Sequence, residues 1–220
     1  MRSLGTLASR FEPPRLSADE WAERNRLAAE HERREAEAVR RSRVERSGIP
    51  RLYRAATLEG CPQEVSSWCA NPSRPMMLRG DVGLGKTWAA CAALSELASS
   101  IPVVFGTLRR IADEVRTSEY GDDCLGRYLR AGALCIDDLG KDRMTESRLS
   151  LLFEIVKARD ESGRPTIYTT NYAWAELLDR ISAGGDQSLV DTIASRLTKC
   201  LIVDFSGSDR RLRRTSTRGR

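Results

Sequence analysis

Histidine and paired cysteine are what this chain has least of. Its 220 residues include one histidine, His31, and six cysteines, none of them in a Cys-x-x-Cys pair. A zinc site needs such ligands clustered at short spacings, so none is expected. Cys61, Cys69, Cys91, Cys124, Cys135 and Cys200 read instead as reduced side chains, several of them small hydrophobes on core faces. Long apolar runs are also missing. Nothing approaches the ~20 residues that cross a bilayer, and Met1 to Phe11 lacks the apolar centre of a signal peptide. The expectation is a cytoplasmic chain with no membrane partner. No internal repeat is visible, and no arginine-rich lid insertion interrupts the later strands, which counts against a small-molecule kinase.

What is present suits one domain of ordinary size plus a smaller appendage, with 40% apolar residues to fill a core. The formal charge of +5 is unevenly placed. From Ser206 to Arg220 there are six arginines and one aspartate, so the tail carries the whole excess and the rest balances at 30 against 30. Such a tail either contacts nucleic-acid phosphates without reading sequence or serves as a disordered solubilising end. Composition does not separate the two.

Eight residues carry the strongest signal. Gly80-Asp81-Val82-Gly83-Leu84-Gly85-Lys86-Thr87 follow a short apolar run, Pro75 to Arg79, and precede a helical pattern. This is the phosphate-binding P-loop in its strand-to-helix setting. Its glycines let backbone N–H groups face the phosphates, Lys86 is placed for the β- and γ-oxygens, and Thr87 for Mg²⁺. The helix adds its positive dipole end, and Trp88 follows as the next member of the nucleotide-binding set.

Upstream, Ser17-Ala18-Asp19-Glu20 is a capping box with Leu16 and Trp21 at the positions of a hydrophobic staple. Acid-first pairs one turn apart (Glu20/Arg24, Glu30/Arg34, Glu37/Arg41) support a helix to about Ser47, where Gly48 and Pro50 stop it. Its apolar side is thin: Trp21, Leu27, Ala28, Val39 and Val44. The helix reads as an arm that docks a partner protein or, less informatively, as a solvated helix lying on its own core. From Ile49 onward, strands and helices alternate as in an α/β domain with a parallel sheet. Strands are expected at 75–79, 102–106, 133–136, 166–169 and 201–204. Helices are expected at 62–70, 86–99, 108–116, 123–130, 146–161, 174–181 and 189–198.

Two further strand ends bear chemistry. Ala133-Leu134-Cys135-Ile136 leads into Asp137-Asp138, where a P-loop protein needs a second metal-holding group. Asp137 is expected to help hold Mg²⁺, and Asp138 to orient or deprotonate an attacking water. The strand Pro165 to Thr170 ends at Asn171, which can sense a γ-phosphate or hold that water, or simply cap a turn. Arg196 ends a helix, and Arg210 and Arg211 follow the last strand. All three are candidates to face phosphate, though Arg196 also suits a helix C-terminus.

In this order the P-loop, Ile136-Asp137-Asp138-Leu139-Gly140, Thr169-Thr170-Asn171, Ile193 to Leu197 and Phe205 to Arg211 resemble the AAA+ helicase loaders. The likeness is to the DnaC type and its sister group, the IstB-type transposition helpers, from about Ile49 to Leu212. It implies a P-loop α/β fold of AAA+ type with a central five-stranded parallel sheet, and ATP with Mg²⁺ as ligands. Lys86 and Thr87 become Walker A, Asp137 and Asp138 Walker B, Asn171 sensor 1, and Arg196 an arginine finger acting on a neighbouring subunit. Arg211 falls at a sensor 2 position in Gly207-Ser208-Asp209-Arg210-Arg211, with Asp209 where the family has serine.

The resemblance also divides the chain into an arm (1–48), an ATPase domain (49–208) and a basic tail (209–220). It implies an ATP hydrolase that binds single-stranded DNA and delivers or remodels a hexameric replicative helicase through the arm. Self-association would run through the nucleotide interfaces, and the source would be a phage or mobile element. The alternatives are a helper that acts with a transposase on double-stranded DNA, and a nucleotide-gated adaptor that does not hydrolyse.

Overall fold

The computed structural model describes residues 17–119 and 122–207, and two compact units divide the chain after Ala38. The first holds most of the long helix α1 (Ala18–Arg46). Its cap forms as the sequence predicts: the Ser17 amide donates to Glu20 Oε2 at 2.7 Å, and the Glu20 amide donates to Ser17 Oγ at 3.3 Å. Arg34 pairs with Glu30 at 2.8 Å, and Arg24 lies over the Trp21 ring. Every residue from Ser17 to Ala38 is exposed, Trp21 and Leu27 included. Leu16, the other half of the staple, lies outside the described residues.

The second unit is built on five parallel strands. They are β1 (Met76–Arg79), β2 (Val103–Thr107), β3 (Ala133–Asp137), β4 (Thr166–Thr170) and β5 (Leu201–Asp204), in the order β2-β3-β4-β1-β5. Because a strand points successive side chains to opposite faces, one apolar run feeds two cores. Met76, Leu78, Cys135 and Ile167 enter one layer, while Met77, Leu134, Ile136 and Tyr168 enter the other. Burial on both faces explains why β1, β2 and β3 are largely apolar. The first layer is filled by α2 (Gln63–Ala70) and α3 (Lys86–Leu97). The second is filled by α4 (Leu108–Thr117), α5 (Cys124–Arg130), α6 (Glu146–Glu161), α7 (Trp174–Ser182) and α8 (Gln187–Leu197).

Residues 43–49 cover the open edge of β2. The Phe105 amide donates to Ser47 O at 2.8 Å, and Arg43 donates to the Ala98 and Ser99 carbonyls that end α3. Gly48 permits this close passage: its φ is +89°, and a Cβ there would lie 2.6 Å from Phe105 O.

One arginine is wholly internal. Arg159 of α6 is 1% exposed and donates to Thr166 Oγ1 (2.8 Å), Tyr128 O (3.0 Å), Ala131 O (2.9 Å) and Pro165 O (2.6 Å). It thus ties the end of α5 to the entry of β4. Burial lowers its pKa to about 10, so it stays charged near neutrality, with neutral oxygens as its hydrogen-bond acceptors.

None of the six cysteines forms a disulfide; Cys91, Cys135 and Cys200 are buried, and burial raises the thiol pKa of each of these three. Among the described residues no cluster of potential ligands could hold a metal by itself, and no helix is long and apolar enough to cross a membrane.

Candidate functional site

The loop after β1 turns on glycines at positive φ: Gly80 (143°), Gly83 (87°) and Gly85 (95°). At Gly80 the reason is contact as well as dihedral, since a Cβ would meet Phe205 O at 2.2 Å. Leu84 is buried in the core, so its side chain anchors the loop and only its backbone is available to a ligand. Lys86 is 4% exposed and its Nζ donates to Gly80 O (2.6 Å) and Asp81 O (2.7 Å).

The acidic pair meets this loop from β3. Thr87 Oγ1 donates to Asp137 Oδ1 at 3.0 Å, and Thr169 Oγ1 donates to the same oxygen at 2.7 Å. Burial, above all, raises the Asp137 carboxyl above its usual range; nearby Asp138 adds to this, and the two hydroxyls oppose it. Thr87 and Asp137 together offer hard oxygen donors at one point, the donor chemistry that Mg²⁺ takes. The sequence-predicted metal residues therefore fit the ion.

Asp138 has φ of +55°, the one positive value at a non-glycine position among the described residues. Strain of this kind gathers at functional sites. β4 holds the turn in place: Thr169 Oγ1 accepts from the Asp138 amide (2.8 Å), Thr169 O accepts from the Leu139 amide (2.8 Å), and Thr170 Oγ1 donates to Leu139 O (2.9 Å). Oδ2 of Asp138 accepts from Lys141 Nζ at 2.6 Å.

These groups line one cleft of about 800 Å³, a volume suited to a nucleotide-sized ligand. Val82, Gly83, Gly85, Lys86, Thr87, Trp88, Asp137, Asp138 and Asn171 are brought together there as the sequence predicts. Leu52, Tyr53 and Lys141 join them unpredicted. Leu52 and Tyr53 belong to a 3-10 turn, Arg51–Tyr53, too short for periodicity to reveal. With Val82 and Trp88 they supply the apolar share of the lining, suitable for the flat face of a base.

Arg196 stands elsewhere. α8 ends where β5 begins, and Leu201 is in register with Met76 at the start of β1, whereas the P-loop leaves the far end of that strand. Arg196 Nε lies 3.5 Å from Asp160 and Nη2 lies 3.9 Å from Glu161. Arg210 and Arg211 fall outside the described residues.

Strand order, P-loop and acidic turn define a P-loop ATPase domain of AAA+ type. Residues 64–218 match the family described as IstB-like ATP binding protein, and the chain belongs to that family. Similar solved structures include DnaI (TM-score 0.63, 19% identity, 74% of this chain and 94% of that one). The DnaC helicase loader is similar too (0.59, 22%, 71% and 100%). So is the replication initiator DnaA bound to AMPPCP and single-stranded DNA (0.58, 19%, 73% and 52%). No curated protein matches the chain.

Proposed function

We propose that this chain is an ATP-hydrolysing switch that loads or remodels a hexameric replicative helicase on single-stranded DNA. The observation that carries the reading is the meeting of Thr87, Asp137, Asp138 and Asn171 with Lys86 in one cleft. Phosphoryl transfer asks a protein chiefly for positioning and charge stabilisation, and these residues supply both. Lys86 and the loop amides bind the phosphates, while Thr87 and Asp137 hold Mg²⁺, which neutralises phosphate charge when bound. Asp138 orients the attacking water and accepts its proton as the bond from the γ-phosphorus to ADP breaks, leaving ADP and inorganic phosphate. Asn171 senses the γ-phosphate.

Arg196 does not line this cleft, and we assign it a role in trans, on the nucleotide of a second copy. Arg211 is assigned the sensor 2 position, and the exposed arm is assigned partner docking. The names of the solved relatives, a helicase loader and an initiator with single-stranded DNA, support this choice of partners. The family match favours a second reading, a transposition helper acting with a transposase on double-stranded DNA. A bound-state adaptor without hydrolysis fits the intact acidic pair poorly.

Two measurements test the proposal. ATP turnover by the full chain should rise when single-stranded DNA is added, and a flat zero in both conditions would overturn the enzyme reading. Co-purification should recover the replicative helicase rather than a transposase; the reverse would select the second reading.

A further inference from the structure

Positive charge in this chain is almost entirely arginine: 32 arginines stand against four lysines. Two of those four, Lys86 and Lys141, line the same cleft. Lys86 belongs to the P-loop. Nothing in the P-loop or the acidic strand calls for Lys141, yet its ammonium rests 2.6 Å from Asp138 Oδ2. The pair spans three residues of a turn whose first residue is held at positive φ by two β4 threonines. Asp138 is therefore fixed by its backbone while its carboxylate is occupied by a cation on a flexible stem. The Lys141 side chain is 61% exposed and the Asp138 side chain 25%, so the ammonium has room to leave.

We propose that Lys141 is a positioning residue that latches Asp138. While the ion pair holds, one oxygen of the carboxylate is turned to the ammonium and away from water. The strongly anionic triphosphate competes for that ammonium without fully displacing it, so a closed fraction persists in the substrate-filled cleft and slows turnover. Lysine suits the task because its compact ammonium exchanges one oxygen partner for another, whereas arginine would clasp the carboxylate with a two-pronged fork. The inference rests on Asp138 being the water-handling carboxylate of the proposed reaction.

The test compares Mg·ATP hydrolysis by the full chain, Lys141→Met, Lys141→Arg and Asp138→Asn, in steady state and in single turnover. Partly exposed ion pairs bias an equilibrium by about two- to five-fold. Lys141→Met should raise kcat by that factor with KM nearly unchanged, and Lys141→Arg should leave kcat at or below the parent value. A Lys141→Met kcat that is equal or lower overturns the latch. If Asp138→Asn turns over like the parent, the base assignment falls instead, which separates the two failures.

A second readout needs no turnover. With ¹³C-labelled lysine the chain gives four Cε signals, and Lys141→Arg identifies the one from Lys141. That signal should move on Asp138→Asn and, in the parent, on adding Mg·AMPPNP. A signal indifferent to both would also overturn the proposal.

Discussion

Residues 17–38 and the body that follows hold their shape by different means. In the arm, side chains pair within a turn or so: Ser17 with Glu20, Glu30 with Arg34, Trp21 with Arg24. In the body, the decisive bonds join residues far apart in sequence, such as Thr87 with Asp137, Asp138 with Thr169, and Arg159 with Tyr128 and Ala131. A helix supported by local pairs alone is marginal in water, while a packed sheet is cooperative. The described part of the arm therefore depends on local pairs, and the body on its own packing.

The contrast can be broken most forcefully from the body side. Arg159→Leu strands several buried oxygens at once and should cost about 3–5 kcal/mol, on the scale of one partner removed from a buried charged network. At this size that corresponds to a fall of roughly 6–20 °C in Tm, readable by calorimetry. A fall under about 2 °C would mean that water replaces the guanidinium. In the arm, Ser17→Ala should weaken α1 by about 1 kcal/mol, visible as lost helicity in an otherwise unchanged chain. The main unfolding transition should not move.

A smaller effect lies between these in kind. Arg79 forks Asp204 across β1 and β5 at 2.7 and 2.9 Å, and this hydrogen bonding holds the Asp204 carboxyl below its usual range. A depressed folded pKa gives stability that is present above the unfolded value and lost as pH falls through the folded one. The Tm difference between the parent and Asp204→Asn should accordingly shrink below about pH 4. A difference that grows on acidification would contradict the pairing. Removing residues 1–38 should have the least effect of all, leaving the body's Tm within a degree or two while abolishing helicase co-purification.

The same division decides what could be read from the sequence. The five strands and the helices stand within a residue or two of their expected places, because apolar periodicity and caps are local signals. α8 starts at Gln187 rather than Leu189 because Asp186 accepts from the Ser188 and Leu189 amides. The cap was present in the sequence, but the apolar pattern begins later. The P-loop, Asp137-Asp138 and Asn171 were legible because each ends a predicted strand. Lys141, Tyr53 and the two threonines under Asp138 were not, since only the packing of β3 beside β4 and the return of residues 51–53 to the cleft bring them in. Nothing in helical spacing marks Arg159, whose hydrogen-bond partners lie on other elements.

The proposed hydrolysis depends on the Asp138 carboxylate, and single-turnover hydrolysis by Asp138→Asn tests that dependence most directly. With Mg·ATP bound at parental affinity, the phosphate-release rate should fall on the order of 100-fold or more, the usual scale for a lost general base. Parental hydrolysis in that variant would contradict the assignment of this cleft as a site of ATP hydrolysis built on Asp138.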